Sequence, residues 1–348
     1  MTIVAEQYRH VIGVDTHART HTFAILDCST GRTAGSATFP TTPAGLARAA
    51  AWIQRRTTGK ALAAIEGTGS YGANLARHLQ SEGIAVCDVQ PPKRPSRAGK
   101  GKSDEIDAVA AARTALASDM GELAAPRADG IRSALRVLLV ARRAIDTRRT
   151  ADRNALTALL RSFDLGLDAR KPLTDAQVRA VAAWRARPTD DAPTQTIRDE
   201  ARRLAASVLE LTRQIQANYS ALAKHVSDLA PGLTDAHGVG PVTAASVLVS
   251  YSHKGRIRSE AAFATMAGAA PLQASSGNTV RHRLNRSGDR QLNYALEVIA
   301  RVRMSNHTAT RAYVERRVAE GRTRREIRRC LKRYIARQLF RSLNRIMA

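Results

Sequence analysis

Asp15, Glu66, Asp104 and Asp107 are the residues of this chain whose types and settings point to chemistry. Asp15 ends the apolar run Val11-Ile12-Gly13-Val14, and Glu66 ends a second run at residues 61–65. Short apolar runs bounded by polar residues read as buried strands, and the end of such a strand is a rigid mount. A desolvated carboxylate there is costly unless something positive meets it, and a bound metal ion is the strongest such partner. A carboxylate capping the following loop is the plainer reading of Asp15 taken alone. Asp104 and Asp107 lie three apart behind Ser103, a good N-cap, so they share one helix face while Glu105 points elsewhere. Like charges at that spacing repel, and the helix dipole offsets this only in part. A cation between them removes the penalty. Hard oxygen ligands of this kind select Mg²⁺, with Mn²⁺ as a substitute, and such ions polarise phosphodiesters. Any one of these acids alone says little; the set, in this order, carries the reading.

The elements that must position these acids come in a definite order. Residues 11–15, 22–26 and 35–39 read as three strands, with Asp27 and Ser29-Thr30-Gly31 as hairpin chemistry. Pro43 opens a helix through Leu46, Ala49, Ala50 and Ile53. Residues 61–65 are a strand, 71–80 a helix and 84–89 a strand, and an alanine-rich helix runs from Ser103 to about Ser118. A three-strand meander followed by alternating helix and strand is the ribonuclease-H-like arrangement, α/β in class, with the first strand central.

At 348 residues the chain holds two or three domains, and its formal net charge of +25 points to nucleic acid or an anionic membrane surface. The longest apolar runs fall well short of a spanning helix and no charged-then-apolar leader opens the sequence, so a soluble protein of the cytoplasm with no membrane partner is expected. Cys28, Cys87 and Cys330 lack any paired spacing for zinc or a disulfide framework and read as packed small residues. Residues 91–102 hold three prolines, five Lys or Arg and two glycines, a loop suited to a nucleic-acid edge. Residues 301–348 carry 15 basic and 3 acidic residues, a density that favours phosphate contact over a merely solvated face.

Between these parts the pattern is helical. Ile131, Leu135, Leu138, Leu139, Ile145, Leu156, Leu159 and Leu160 keep one stripe; after a polar interruption at 187–193, Ile197, Leu204, Val208, Leu211, Ile215 and Leu222 keep another. Two long amphipathic helices suggest an antiparallel coiled-coil arm, and equally the core of a plain helical domain. From residue 230, a short helix, the turn His237-Gly238-Val239-Gly240 and a second helix resemble a helix-hairpin-helix. Its Gly238 and Gly240 would present amides to a phosphate, although a tight turn between packed helices uses the same glycines. Ser275-Ser276-Gly277 sits in a polar loop before Arg281 and Arg283, and 285–289 begins another helix. The expected division is 1–122, a RuvC-like metal-binding domain; 123–229, a helical arm; and 230–348, a mostly helical C-terminal domain with the serine loop and basic tail.

These blocks carry a resemblance. Ile12-Gly13-Val14-Asp15-Thr16, Ile65-Glu66-Gly67-Thr68-Gly69-Ser70-Tyr71 and Lys102-Ser103-Asp104-Glu105-Ile106-Asp107-Ala108 resemble the acid motifs of the DEDD transposases of the insertion-sequence one-ten type, relatives of the Piv/MooV DNA invertases. The stretch from Gly238-Val239-Gly240 through Gly268-Ala269-Ala270-Pro271 to Ser275-Ser276-Gly277 is similar to that family's transposase domain. The resemblance covers nearly the whole chain. It implies a prokaryotic, nucleoid-associated recombinase with a split site: Asp15, Glu66, Asp104 and Asp107 holding Mg²⁺, and Ser276 attacking a DNA phosphate to form a phosphoserine. Ser275 competes with Ser276, which is preferred because it directly precedes Gly277. It also implies donor and target DNA as substrates, a noncoding bridge RNA that pairs with both, and a dimer or tetramer with a composite site. Delegating sequence choice to base pairing leaves the protein to read backbone and shape.

Three rival readings remain. A metal-only junction-resolving endonuclease would make Ser276 an ordinary loop residue. An actin-like ATPase or sugar kinase shares the strand-Gly-Val-Asp-Thr motif, but no later glycine-rich adenosine loop follows and +25 is wrong for it. A non-catalytic nucleic-acid-binding protein leaves four acids in a basic chain unexplained.

Overall fold

The computed structural model describes residues 2–89, 103–127, 129–275, 279, 281–285 and 288–348. The chain divides into two compact units: Met1–Ala128 with Gly255–Ser259, and Asp129–Lys254 with Glu260–Ala348. The basic loop at 91–102 lies outside the described residues.

In the first unit a short helix, α1 (Val4–Gln7), precedes the strands β1 (His10–Thr16), β2 (Thr20–Asp27) and β3 (Thr33–Pro40). Helix α2 (Pro43–Arg56), β4 (Ala61–Glu66), α3 (Ala73–Ser81), β5 (Ala85–Val89) and α4 (Asp104–Leu116) follow. The sheet order is β3-β2-β1-β4-β5, with β1, β2 and β3 antiparallel and β1, β4 and β5 parallel. That mixed sheet is compatible with the ribonuclease-H-like arrangement and puts β1 at its centre. Side chains alternate between the faces of a strand. Ile12, Val14, Phe23, Ile25 and Ile65 pack with Leu46 and Ile53 of α2 and with Leu75 and Leu79 of α3. Val11, Ala24, Leu26, Leu62 and Ala64 pack with Ala108, Ala111, Ala112 and Ala115 of α4. Helix α3 starts two residues later than the sequence pattern predicts. A turn closes first, with Gly67 at φ 72° and the Ser70 amide donating to the Gly67 carbonyl at 2.9 Å, and Tyr71 is left exposed.

The second unit holds α5 (Ile131–Ser162), α6 (Asp175–Ala182), α7 (Ala192–Leu229), α8 (Pro241–Tyr251) and α9 (Glu260–Met266). The two-residue strands β6 (Leu272–Gln273) and β7 (His282–Arg283) come next, then α10 (Arg290–Asn306), α11 (Thr308–Ala319) and α12 (Arg324–Ile346). Helices α5 and α7 run antiparallel: Asn218 donates to the Leu138 carbonyl and Arg142 to the Ile215 carbonyl, both at 3.0 Å. The sequence pattern shows one break between these helices; the structure inserts α6 as well. Gly166, at φ 83° with its amide donating to Asp164, turns the chain after α5, and a Thr174–Gln177 capping box starts α6. Leu165, Leu173, Val178 and Val181 then build a small core with Leu156, Leu204 and Val208.

The basic tail is largely built into this unit. Ile327, Leu331, Ile335, Leu339, Phe340 and Leu343 of α12 are buried, and Phe340 packs on Tyr251 and Phe263 at ring-centroid distances of 6.1 and 5.9 Å. Arg337 and Arg341 pair with Glu260 at 2.6 and 2.7 Å, holding its carboxyl down at about 2. Cys87 is buried, its thiol pushed up to about 12 by burial, and Cys28 is half-buried; Cys330 departs from the packed-residue expectation because its place on α12 is exposed. Among the described residues no helix is long and apolar enough to cross a membrane.

Candidate metal centre

The register of β1 and β4 sets the first pair of acids. Val14 lies beside Ile65 in parallel pairing, so one residue further on Asp15 and Glu66 stand abreast at the two strand ends. Asp15 continues the alternation of Val11 and Gly13, and Glu66 that of Leu62 and Ala64, which is the face α4 covers. Gly13 makes the close cover possible: a Cβ there would lie 1.8 Å from the Ala108 carbonyl oxygen and 2.5 Å from the Ala112 nitrogen. The first turn of α4, capped by Ser103 accepting from the Ile106 amide at 3.3 Å, is thereby held beside the end of β1.

That turn brings the helical acids to Asp15. Burial pushes the buried Asp15 carboxyl upward, His17 pulls it down, and the Asp104 and Asp107 carboxylates push it up again. Glu105, as its helical position predicts, is elsewhere: it accepts from Ser36 of β3 at 2.6 Å. His17, which stands outside the four-acid pattern, lies with its Nε2 3.1 Å from Asp15 Oδ2 and 3.4 Å from Asp104 Oδ1. Its i, i+2 spacing from Asp15 is the signal the sequence carries, since it puts both residues on one face of a strand's end. Asp15, His17 and Asp104 each offer a ligand atom within 4.8 Å of the others. Carboxylates in mutual repulsion, one of them desolvated, with an imidazole between them, fit a divalent cation.

The Glu66 end is braced separately. Thr16 donates its hydroxyl to the Glu66 carbonyl at 2.8 Å. Two residues on, the Thr68 amide donates to Asp88 Oδ1 at 3.4 Å, and Asp88 pairs through Oδ2 with the buried Arg256 at 3.2 Å. Arg256 comes from Gly255–Ser259, the late segment that belongs to this first unit.

In the second unit, Gly238 has φ 81° and a Cβ on it would meet the Ile299 carbonyl at 3.2 Å, while the Gly240 amide donates to Thr243 Oγ1 at 3.0 Å. Packing and capping thus account for both glycines' geometry. Arg281 and Arg283 are exposed on and beside β7. Ser275 Oγ accepts from the Arg281 amide at 3.2 Å, which ties it into the neck of the loop. Ser276 lies outside the described residues.

Comparison with known proteins gives this arrangement its setting. Residues 12–164 match the DEDD transposase family of the IS110 type, and residues 231–315 match the transposase family described as IS116/IS110/IS902. The chain is similar to the insertion element IS110 uncharacterized 43.6 kDa protein of Streptomyces coelicolor, at 36% identity over 118 residues. That similarity spans 34% of this chain and 29% of the relative. The two matched blocks contain every acid discussed above and the serine loop, and the chain belongs to the IS110-type transposases.

Proposed function

We propose that this chain is the transposase of an insertion sequence, cutting and rejoining donor and target DNA under the guidance of a bridge RNA. The observation that carries the reading is the gathering of Asp15, Asp104 and Asp107 on one face at the end of a central strand. Asp15, Glu66, Asp104 and Asp107 would hold Mg²⁺, with Mn²⁺ as a substitute. When bound, that ion supplies Lewis-acid polarisation of a phosphate and stabilises oxygen anions. The chain's own residues do the rest. Strands β1 and β4 fix two carboxylates at rigid ends, and α4 presents two more from a single turn. Ser276 Oγ attacks the DNA phosphorus, its bond to phosphorus forms, and the bond to the 3′ oxygen breaks. Ser276 gives up a proton and the departing 3′ oxygen gains one. A serine hydroxyl is a poor nucleophile until it is deprotonated or activated, which is why the acids must serve it. Delivery by a second copy of the chain, in a dimer or tetramer bridged by α5 and α7, is the composite-site form of this reading. Its working division is a metal-binding domain at 1–122, an arm at 123–229 and a serine-loop domain at 230–348, acting in the cytoplasm at the nucleoid.

The test is trapping. Wild-type protein incubated with element-end DNA and its RNA should give a denaturation-resistant protein–DNA adduct at Ser276. Ser276→Ala should give none, and Ser275→Ala, whose wild-type hydroxyl serves the loop neck, should retain it. Cleavage by wild type with no adduct under trapping conditions would instead favour the metal-only endonuclease.

The basic tail yields a second expectation. Residues Tyr334, Arg337, Gln338, Arg341, Ser342 and Arg345 line a groove of about 680 Å³ on α12, suited to a phosphate backbone. Removing the tail would strip the core, so charge alone must be changed. Replacing Arg345, an exposed cation of this groove, with Gln should flatten the slope of log affinity against log salt by roughly 1. The melting temperature should hold. An unchanged slope would show that this face touches no phosphate.

A further inference from the structure

We infer that His17 is a ligand of the metal centre, so that the site takes a nitrogen donor along with its carboxylates and favours Mn²⁺ over Mg²⁺. This rests on the four-acid reading above and adds a residue outside the DEDD set. The geometry is specific. Nε2 of His17 stands 3.1 Å from Asp15 Oδ2 and 3.4 Å from Asp104 Oδ1. Adjacent ligands of an octahedral ion with bonds of about 2.1 Å are separated by √2 times that length, about 3 Å. His17 Nε2 is therefore spaced from each carboxylate as a neighbouring ligand of one ion would be, and the three donor atoms all lie within 4.8 Å of one another although the acids come from two different elements. A hydrogen-bonded imidazolium between two acids would show similar distances, and the two cases predict different things.

The chemistry separates them. Mg²⁺ is a hard ion that keeps oxygen ligands and water, whereas Mn²⁺, although it too suits oxygen, is a first-row transition ion that accepts a nitrogen donor more readily. A coordinating nitrogen would raise affinity for Mn²⁺ and leave that for Mg²⁺ almost unchanged. An imidazolium that only neutralises the acids would compete with both ions equally, and its removal would strengthen both. Accessibility permits coordination: the His17 side chain is 52% exposed while Asp15 is at 12%, so the imidazole forms the open side of the site. His21, buried on the neighbouring strand, has its imidazole held below the usual histidine range by burial and by the nearby His17, and is the natural control.

The experiment is a Mn²⁺ titration of the full chain without nucleic acid, followed by electron paramagnetic resonance, with Mg²⁺ as competitor. Wild type should show ¹⁴N modulation from a directly bound imidazole. His17→Gln should lose that modulation and bind Mn²⁺ about tenfold more weakly, with its affinity for Mg²⁺ changed less than about twofold. His21→Gln should keep the modulation. Nitrogen modulation persisting in His17→Gln, or parallel changes for the two ions, would overturn the assignment. Asp15→Ala separates the two readings: Mn²⁺ binding that survives it undoes the four-acid site itself. Binding lost in Asp15→Ala but unaltered in His17→Gln removes only His17.

Discussion

Asp15→Ala and Asp107→Ala proteins should bind DNA as wild type does and leave it uncut, with cleavage lower by at least about a thousandfold. That factor corresponds to about 4 kcal/mol of transition-state stabilisation, within the several kcal/mol attributed to a metal's charge. The geometry supplies an internal control one residue away from Asp104. Glu105 is held by Ser36 on β3, away from Asp15, so Glu105→Ala should cut at a rate close to wild type. Gel assays of cleavage, with binding measured in parallel by anisotropy, read both quantities. Full cleavage by Asp107→Ala, or in chelator, would contradict the site.

Gly13→Val should damage stability and site together. The added Cβ would stand 1.8 Å from a backbone carbonyl of α4, and a backbone cannot turn aside as a flexible side chain can. The helix must move outward, uncovering the alanines packed on Val11 and Ala64 and carrying Asp104 and Asp107 away from Asp15. Overpacking of cores costs about 1–3 kcal/mol and occasionally more. With backbone on the receiving side the upper end is expected, a fall of roughly 6–12 °C in Tm. Gly121, where nothing lies within 4 Å of an added Cβ, is the control, and Gly121→Ala should melt like wild type. A Gly13→Val protein with unchanged Tm and metal affinity would mean that α4 does not rest on β1 as described.

Gly13 also marks the boundary of what the sequence discloses. The short apolar run at residues 11–14, ended by Asp15, makes the strand legible, the Ser103 cap and the three-residue spacing place Asp104 and Asp107 on one helix face, and Glu105 falls off that face as expected. Which helix covers which strand is a tertiary fact. A glycine in mid-strand opposite an alanine-rich helix hints at close approach, but many pairings satisfy that hint. His17 is within reach, two residues from Asp15. The brace on Glu66 is not, because Asp88 and Arg256 meet across 168 positions with no periodicity to announce them. At the turn after α5, Asp164 and Gly166 set the local chain direction, and α6 follows from a capping box the apolar stripe does not register. The serine loop stands at the opposite limit: its residue types and the family resemblance support a nucleophile there, and Ser276 lies outside the described residues.

The most direct test of a cation held by these acids against the reacting phosphate is a metal-rescue measurement. The wild-type protein is given DNA carrying a single phosphorothioate at the expected cleavage linkage, once in Mg²⁺ and once in Mn²⁺, and the cleavage rates are compared with those for the unmodified phosphate. Sulfur is a poor ligand for Mg²⁺ and a better one for Mn²⁺. One diastereomer should be cut about tenfold or more slowly than the phosphate in Mg²⁺, and Mn²⁺ should restore most of its rate. Equal rates for phosphate and both phosphorothioates in both metals would contradict a cation on the scissile phosphate, and with it the metal-holding role of Asp15, Glu66, Asp104 and Asp107.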